Sequence, residues 1–135
     1  SIGLALLLKG DHAEALTAMQ AEPDVGWRAI GLPMALHAAG RKAESDAALA
    51  ELIAKYEKES AYNIAYVLAF RGETDRAYEW LEKAADYHDP GLIEITAEPF
   101  FATIHDDPRW LPFLRQIGRA PDQLAAIKFE VNLPQ

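Results

Sequence analysis

Two short stretches hold the residues best suited to chemistry. Tyr87-His88-Asp89-Pro90 and His105-Asp106-Asp107-Pro108 each set a histidine beside carboxylates. Imidazole and carboxylate together can ligate zinc or move protons. Zinc needs three or four converging ligands, and no HxxxH pair stands ready on a helix to supply two of them. Aspartate directly before proline also suits a helix start. Its carboxylate accepts from free N–H groups, and proline in the first turn has no N–H to satisfy. Both stretches therefore read as helix boundaries, and no metal site is expected. Glu94, Glu98, Asp106 and Asp107 offer carboxylates for acid–base work, but no second feature joins them. The sequence has no phosphate loop, no GxSxG, no dinucleotide fingerprint and no evident base for its three serines. The expectation is a non-enzyme without cofactor.

The bulk numbers narrow the class. The 135 residues suffice for one domain with a core. Thirteen basic residues are scattered and outnumbered by 21 acidic ones, giving a net charge of −8. A nucleic-acid surface clusters Lys and Arg, so neither nucleic acid nor an anionic membrane is an expected partner. The absence of cysteine removes disulfides and thiolate chemistry. The apolar run from Ile2 to Leu8 is too short to span a bilayer and lacks the features of a signal peptide. Because the chain opens inside an apolar helical pattern, it reads as a piece of a longer, soluble protein.

Stepping along the chain, Gly10, Gly40 and Gly72 stand 30 and 32 residues apart. Each follows an apolar segment ("SIGLALLLKG", "WRAIGLPMALHAAG", "AYNIAYVLAFRG") and precedes a second helical pattern. A helix end often needs a left-handed residue, which glycine adopts without a Cβ penalty. Ala15, Ser45 and Ala77 each fall five residues after these glycines, where a small side chain lets two helices approach. The apolar stripes Leu49, Leu52, Ile53, Tyr56 and Ala77, Leu81, Ala84 have helical spacing. Neither helix of a pair can bury both flanks alone, but stacked pairs can. Charges such as Glu79 with Lys83 and Glu51 with Lys55 suit solvated helix faces.

These units resemble tetratricopeptide repeats. The third matches best, through Ile64-Ala65, Leu68, Gly72, Ala77, Leu81, Ala84 and Pro90. The first matches through Ile2-Gly3, Gly10 and Ala15. The second departs from the pattern, with Pro33 at a usually small position and Ser45 for the usual alanine. Pro33 is expected to start or kink its helix. The resemblance covers residues 1–90. It implies an all-α solenoid of about three helical hairpins, followed over 91–135 by a helical cap and an extended tail packed as one domain with the repeats.

In the C-terminal third, "GLIEITAEPFF" predicts a short helix broken before Pro99. "HDDPRWLPFLRQIG" predicts a helix capped by Asp106 or Asp107, with Pro108 in its first turn and Pro112 distorting it. "APDQLAAI" predicts another short helix. "KFEVNLPQ" alternates Phe129, Val131 and Leu133 with polar residues, as a strand would. The segment 93–133, with "DPRW", a leucine-bearing helix and "IG", resembles the ending of repeat regions in bacterial multidomain regulators. Those couple such repeats to nucleotide-cyclase-like, kinase-like or winged-helix domains. The resemblance implies a bacterial, cytoplasmic rather than periplasmic, signalling protein with any catalysis upstream.

In the tetratricopeptide family the first helices of the pairs line a concave groove. Carried onto this chain, that face holds Leu4, Leu7 and Leu8, then Trp27, Ile30, Met34 and His37, then Tyr62, Asn63, Tyr66 and Phe70. It is apolar and aromatic and lacks a cationic clamp for a terminal carboxylate. It suits a protein or peptide with an apolar or aromatic segment. The alternative is an apolar small-molecule ligand among Trp27, Met34, Tyr62, Tyr66 and Phe70. Weighed ahead of an open groove is self-packing, with Trp27, Tyr66 and Phe70 covered by the chain's own C-terminal third and Leu4, Leu7 and Leu8 facing a preceding repeat. The tail residues Phe129, Val131 and Leu133 are expected to meet a second copy, by antiparallel tail pairing or by each tail lying across the other chain's first helices, making a homodimer.

Overall fold

A computed structural model describes residues 1–131, with side chains described through residue 128. All regular structure among them is helical. The first six helices form three consecutive pairs. These are α1 (Ile2–Lys9) with α2 (His12–Gln20), α3 (Val25–Ala38) with α4 (Lys42–Tyr56), and α5 (Ala61–Phe70) with α6 (Thr74–Asp86). Each helix packs on its mate; α1 and α2 also meet α3, and α3 and α4 meet α5.

One turn joins the helices within every pair. Gly10, Gly40 and Gly72 have φ of 85, 76 and 79°. Each donates its N–H to the carbonyl three residues back (Leu7, His37, Ala69), and the next residue donates to the carbonyl five back (Leu6, Leu36, Leu68). Two otherwise unpaired carbonyls are thereby satisfied at each helix end. The same bonds recur after α6, where His88 takes the left-handed position at φ 53° without being glycine. Ala15, Ser45 and Ala77 are each 0% exposed, as helix contact at that register requires.

The first two pairs interlock through Met19, also 0% exposed. A Cβ on Gly3 would sit 2.6 Å from the Met19 Cε, and one on Gly31 only 2.2 Å from it. The two glycines leave the space that the thioether fills.

Pro33 does not start its helix; α3 begins at Val25 and runs through it to Ala38. Ser45 of α4 contacts α3 at this proline. Its hydroxyl donates to the Pro33 carbonyl at 2.6 Å and accepts from Arg71 Nη1 at 3.2 Å. Arg71, whose side chain is 6% exposed, also pairs with Asp46 and lies 3.0 Å from Glu73 Oε2. The serine that departs from the repeat pattern is thus one link in a polar chain across the second and third pairs.

Beyond α6 the backbone forms two 3₁₀ helices, Pro90–Ala97 and Pro99–Ile104, then α7 (Trp110–Gln116) and α8 (Pro121–Val131). The prolines at 90 and 99 interrupt any longer α-helix, since each lacks an N–H to donate. Helix α7 starts two residues later than Pro108. The Asp107 carboxylate instead holds the turn before it, accepting from the Arg109 N–H at 2.9 Å and from the guanidinium at 2.8 Å on each oxygen. In that register Pro112 is the third residue of α7, where an N–H has no intrahelical acceptor anyway, so the proline fits the first turn. Lys83 also departs from expectation: its ammonium lies over the Trp80 ring, 5.1 Å from the centroid, with no ion pair to Glu79 among the described residues. The Glu51–Lys55 pair forms at 2.6 Å.

The strand reading of the tail is corrected. Phe129 and Val131 belong to α8, not to an extended segment, and Leu133 lies outside the described residues. A lone strand would leave its backbone groups unpaired, whereas a helix satisfies them within the segment. Among the described residues, no helix is long and apolar enough to cross a membrane.

Candidate interaction groove

The face read from the sequence divides into two halves. On α3, the Asp24 carboxylate accepts the Trp27 N–H at 2.9 Å and fixes the helix start. Trp27 remains 44% exposed. Ile30 and Met34 follow on the same stripe but are buried in the core. His37 is half-buried, its ring edge-on to Phe70 with centroids 6.1 Å apart. Burial, followed by the nearby Arg71 charge, pushes His37 below its ordinary pKa. On α1, Leu7 is buried, Leu4 half-buried and Leu8 exposed.

On α5 the expected groove is filled. Tyr62 and Tyr66 are buried. Phe101 packs on both, with centroids 5.5 and 6.1 Å away. Phe100 packs on Tyr66 at 5.3 Å and on Phe70 at 5.7 Å. Thr103 donates its hydroxyl to the Ala69 carbonyl at 2.9 Å, and Tyr78 donates to the Ile104 carbonyl at 3.1 Å. The second 3₁₀ helix therefore occupies the face where the sequence placed a ligand. Its backing is aromatic as well, because Phe101 meets Trp110 at 5.9 Å and His105 stacks on Trp110 at 4.4 Å.

Electrostatics follow from this seal. Tyr66 accepts a hydrogen bond from the Asn63 amide at 3.1 Å, yet burial pushes its phenol up to about 12. Burial raises Tyr62 as well, reinforced by Glu98, and its hydroxyl is enclosed without a hydrogen-bond partner among the described residues. Glu98 is itself raised by burial, although its carboxylate accepts the Phe100 N–H at 3.2 Å. These shifts accompany an aromatic seam in which Tyr62, Tyr66, Phe100 and Phe101 are buried.

The structure thus brings Tyr62, Asn63, Tyr66 and Phe70 together, with His37 at the edge, and leaves Trp27 apart on the open side. Sequence reasoning missed Phe100 and Phe101 as the residues that fill the seam. A signal was present: two adjacent phenylalanines, fenced by Pro99 and too close to Pro90 for a long helix, need an apolar seat nearby. The other candidates have structural places. Asp89 caps, His88 turns the chain and His105 stacks on Trp110. Among the described residues no three His, Asp or Glu side chains are grouped as a metal ion would need. Compared with known proteins, the chain matches no family model, and no curated sequence or solved structure is significantly similar to it.

Proposed function

We propose that this chain is a non-catalytic protein-interaction module built of tetratricopeptide-type hairpins. The observation carrying the reading is the threefold glycine turn, with a fully buried small residue five positions on in each pair. Stacked hairpins of this kind present one continuous face from their first helices. Because Phe100 and Phe101 cover the third pair, the working surface is the part of that face around Trp27, with Leu4, Leu8 and His37. Its partner is a protein or peptide segment with an apolar or aromatic anchor, as a large exposed indole favours. The resemblance of residues 93–133 to the ends of regulator repeat regions supports a place in a bacterial cytoplasmic signalling protein, with output from another domain.

Tryptophan fluorescence tests the reading, because Trp80 and Trp110 are buried and Trp27 is not. Short peptides bearing aromatic or aliphatic anchors are titrated into the protein. A saturable blue shift is expected for wild type and not for Trp27→Phe. A panel of such peptides that leaves the wild-type emission unmoved rejects this surface.

A further inference from the structure

A second groove lies on the opposite side of the third pair, between α6 and α7. Its volume is about 650 Å³. The floor is apolar, with Pro108 and Pro112 exposed over the buried Tyr78 and Phe113. The α6 wall is acidic: Asp75, Glu79 and Glu82 follow at spacings of four and three, so they share one helix face, and all are exposed. Two of the three are engaged within the protein. Asp75 meets Arg109 at 3.0 Å, and Glu82 accepts from the Gln116 amide at 2.8 Å. Glu79 makes no ion pair among the described residues, because Lys83 turns to the Trp80 ring. Arg109, the one cation lining the groove among the described residues, is held by Asp75 and Asp107 and lies 4.5 Å from the Tyr78 ring centroid. The groove therefore combines an apolar floor with uncompensated negative charge on one wall.

We infer that the groove between α6 and α7 docks a cationic amphipathic segment of a partner protein, one that places an aliphatic side chain on Pro108 and Pro112 and Lys or Arg against Glu79 and Glu82. The charge chooses the occupant. An acidic or neutral apolar segment would leave Glu79 desolvated and unpaired, whereas a basic one supplies its counter-charge. This surface is separate from the face around Trp27, and the inference does not depend on the repeat-family reading.

The experiment uses a short labelled peptide with lysines on one helical face and leucines on the other, and a counterpart with glutamate for every lysine. Anisotropy should show saturable binding of the lysine peptide alone. Glu79→Lys with Glu82→Lys should weaken it at least tenfold, by analogy with charge pairs lost across interfaces. Glu57→Lys with Glu59→Lys changes the net charge equally at a distant exposed site and should leave binding intact. Both double variants should melt like wild type, and Trp27→Phe should bind the lysine peptide normally. Equal weakening by the distant pair would mean attraction to overall charge and would overturn the proposal. Equal binding of the glutamate peptide, or no binding at all, would do the same.

Discussion

The Asp89 carboxylate accepts the backbone N–H of Tyr62 at 3.0 Å across 27 residues of chain. Its other oxygen accepts the Gly91 N–H at 2.8 Å. One side chain therefore serves two helix starts, α5 and the 3₁₀ helix at Pro90, and pins the C-terminal third to the last hairpin. Asp89→Ala would leave both N–H groups without that acceptor. A loss of about 1–3 kcal/mol is expected in urea unfolding, with Asp89→Asn intermediate. An unchanged midpoint for the alanine variant would contradict the double cap.

Gly31 is predicted to be intolerant of even one methyl group. Gly31→Ala would drive its Cβ into Met19, whose Sδ lies 2.5 Å from that position. Expelling or bending the thioether should cost about 1–3 kcal/mol. Met19→Ala alone should cost about 2–5 kcal/mol through the cavity it leaves. The two losses should not add, because the smaller residue makes room for the new methyl. Strict additivity in thermal or urea unfolding would show that the two residues do not share this space.

Ser45→Ala installs the residue that the repeat pattern prefers, yet it should destabilise. The hydroxyl is the acceptor for Arg71 Nη1 and the donor to the Pro33 carbonyl. Losing it strips a buried guanidinium of one partner, at about 1–3 kcal/mol. If the melting temperature instead rises, helix propensity outweighs the polar chain and its structural importance is refuted.

The alkaline limb of stability should report the aromatic seam. A phenol whose folded pKa is raised keeps its proton in the folded state after the unfolded chain has begun to lose it. Its contribution is complete below the unfolded value of about 10 and declines as pH rises through the folded value. For Tyr66 that window runs from about 10 to about 12. Tyr78 spans the same window, chiefly through burial and then through the Asp107 charge. Tyr66→Phe should make unfolding less steep with pH across this interval. Identical pH slopes for variant and wild type would place Tyr66 in water.

Much of the architecture was legible because it rests on local rules. A glycine that must be left-handed and a small residue five positions later constrain neighbours in sequence, so Gly10, Gly40 and Gly72 announce themselves. The helix at Phe129 was misread because two-residue alternation over a short stretch fits a strand, while backbone satisfaction favours a helix there. The seal on α5 was open in the sequence because Tyr66 meets Phe100 and Phe101 through tertiary contacts that no local period encodes. Ser45 looked like a flaw in the pattern, since its partners Pro33 and Arg71 are 12 and 26 residues away.

The polar chain from Arg71 through Ser45 to Pro33 has a consequence for how the molecule comes apart. Hairpins that touch only through apolar side chains can peel away one at a time, each with its own opening free energy. The first pair meets the second through apolar packing centred on Met19 in its glycine notches, whereas the second and third are also joined by the buried Arg71 guanidinium, which donates to Ser45 and pairs with Asp46. Amide exchange should therefore divide the chain into two cooperative blocks. Residues of α1 and α2 should exchange through a low-energy fraying event, and α3 to α6 should open together near the global limit.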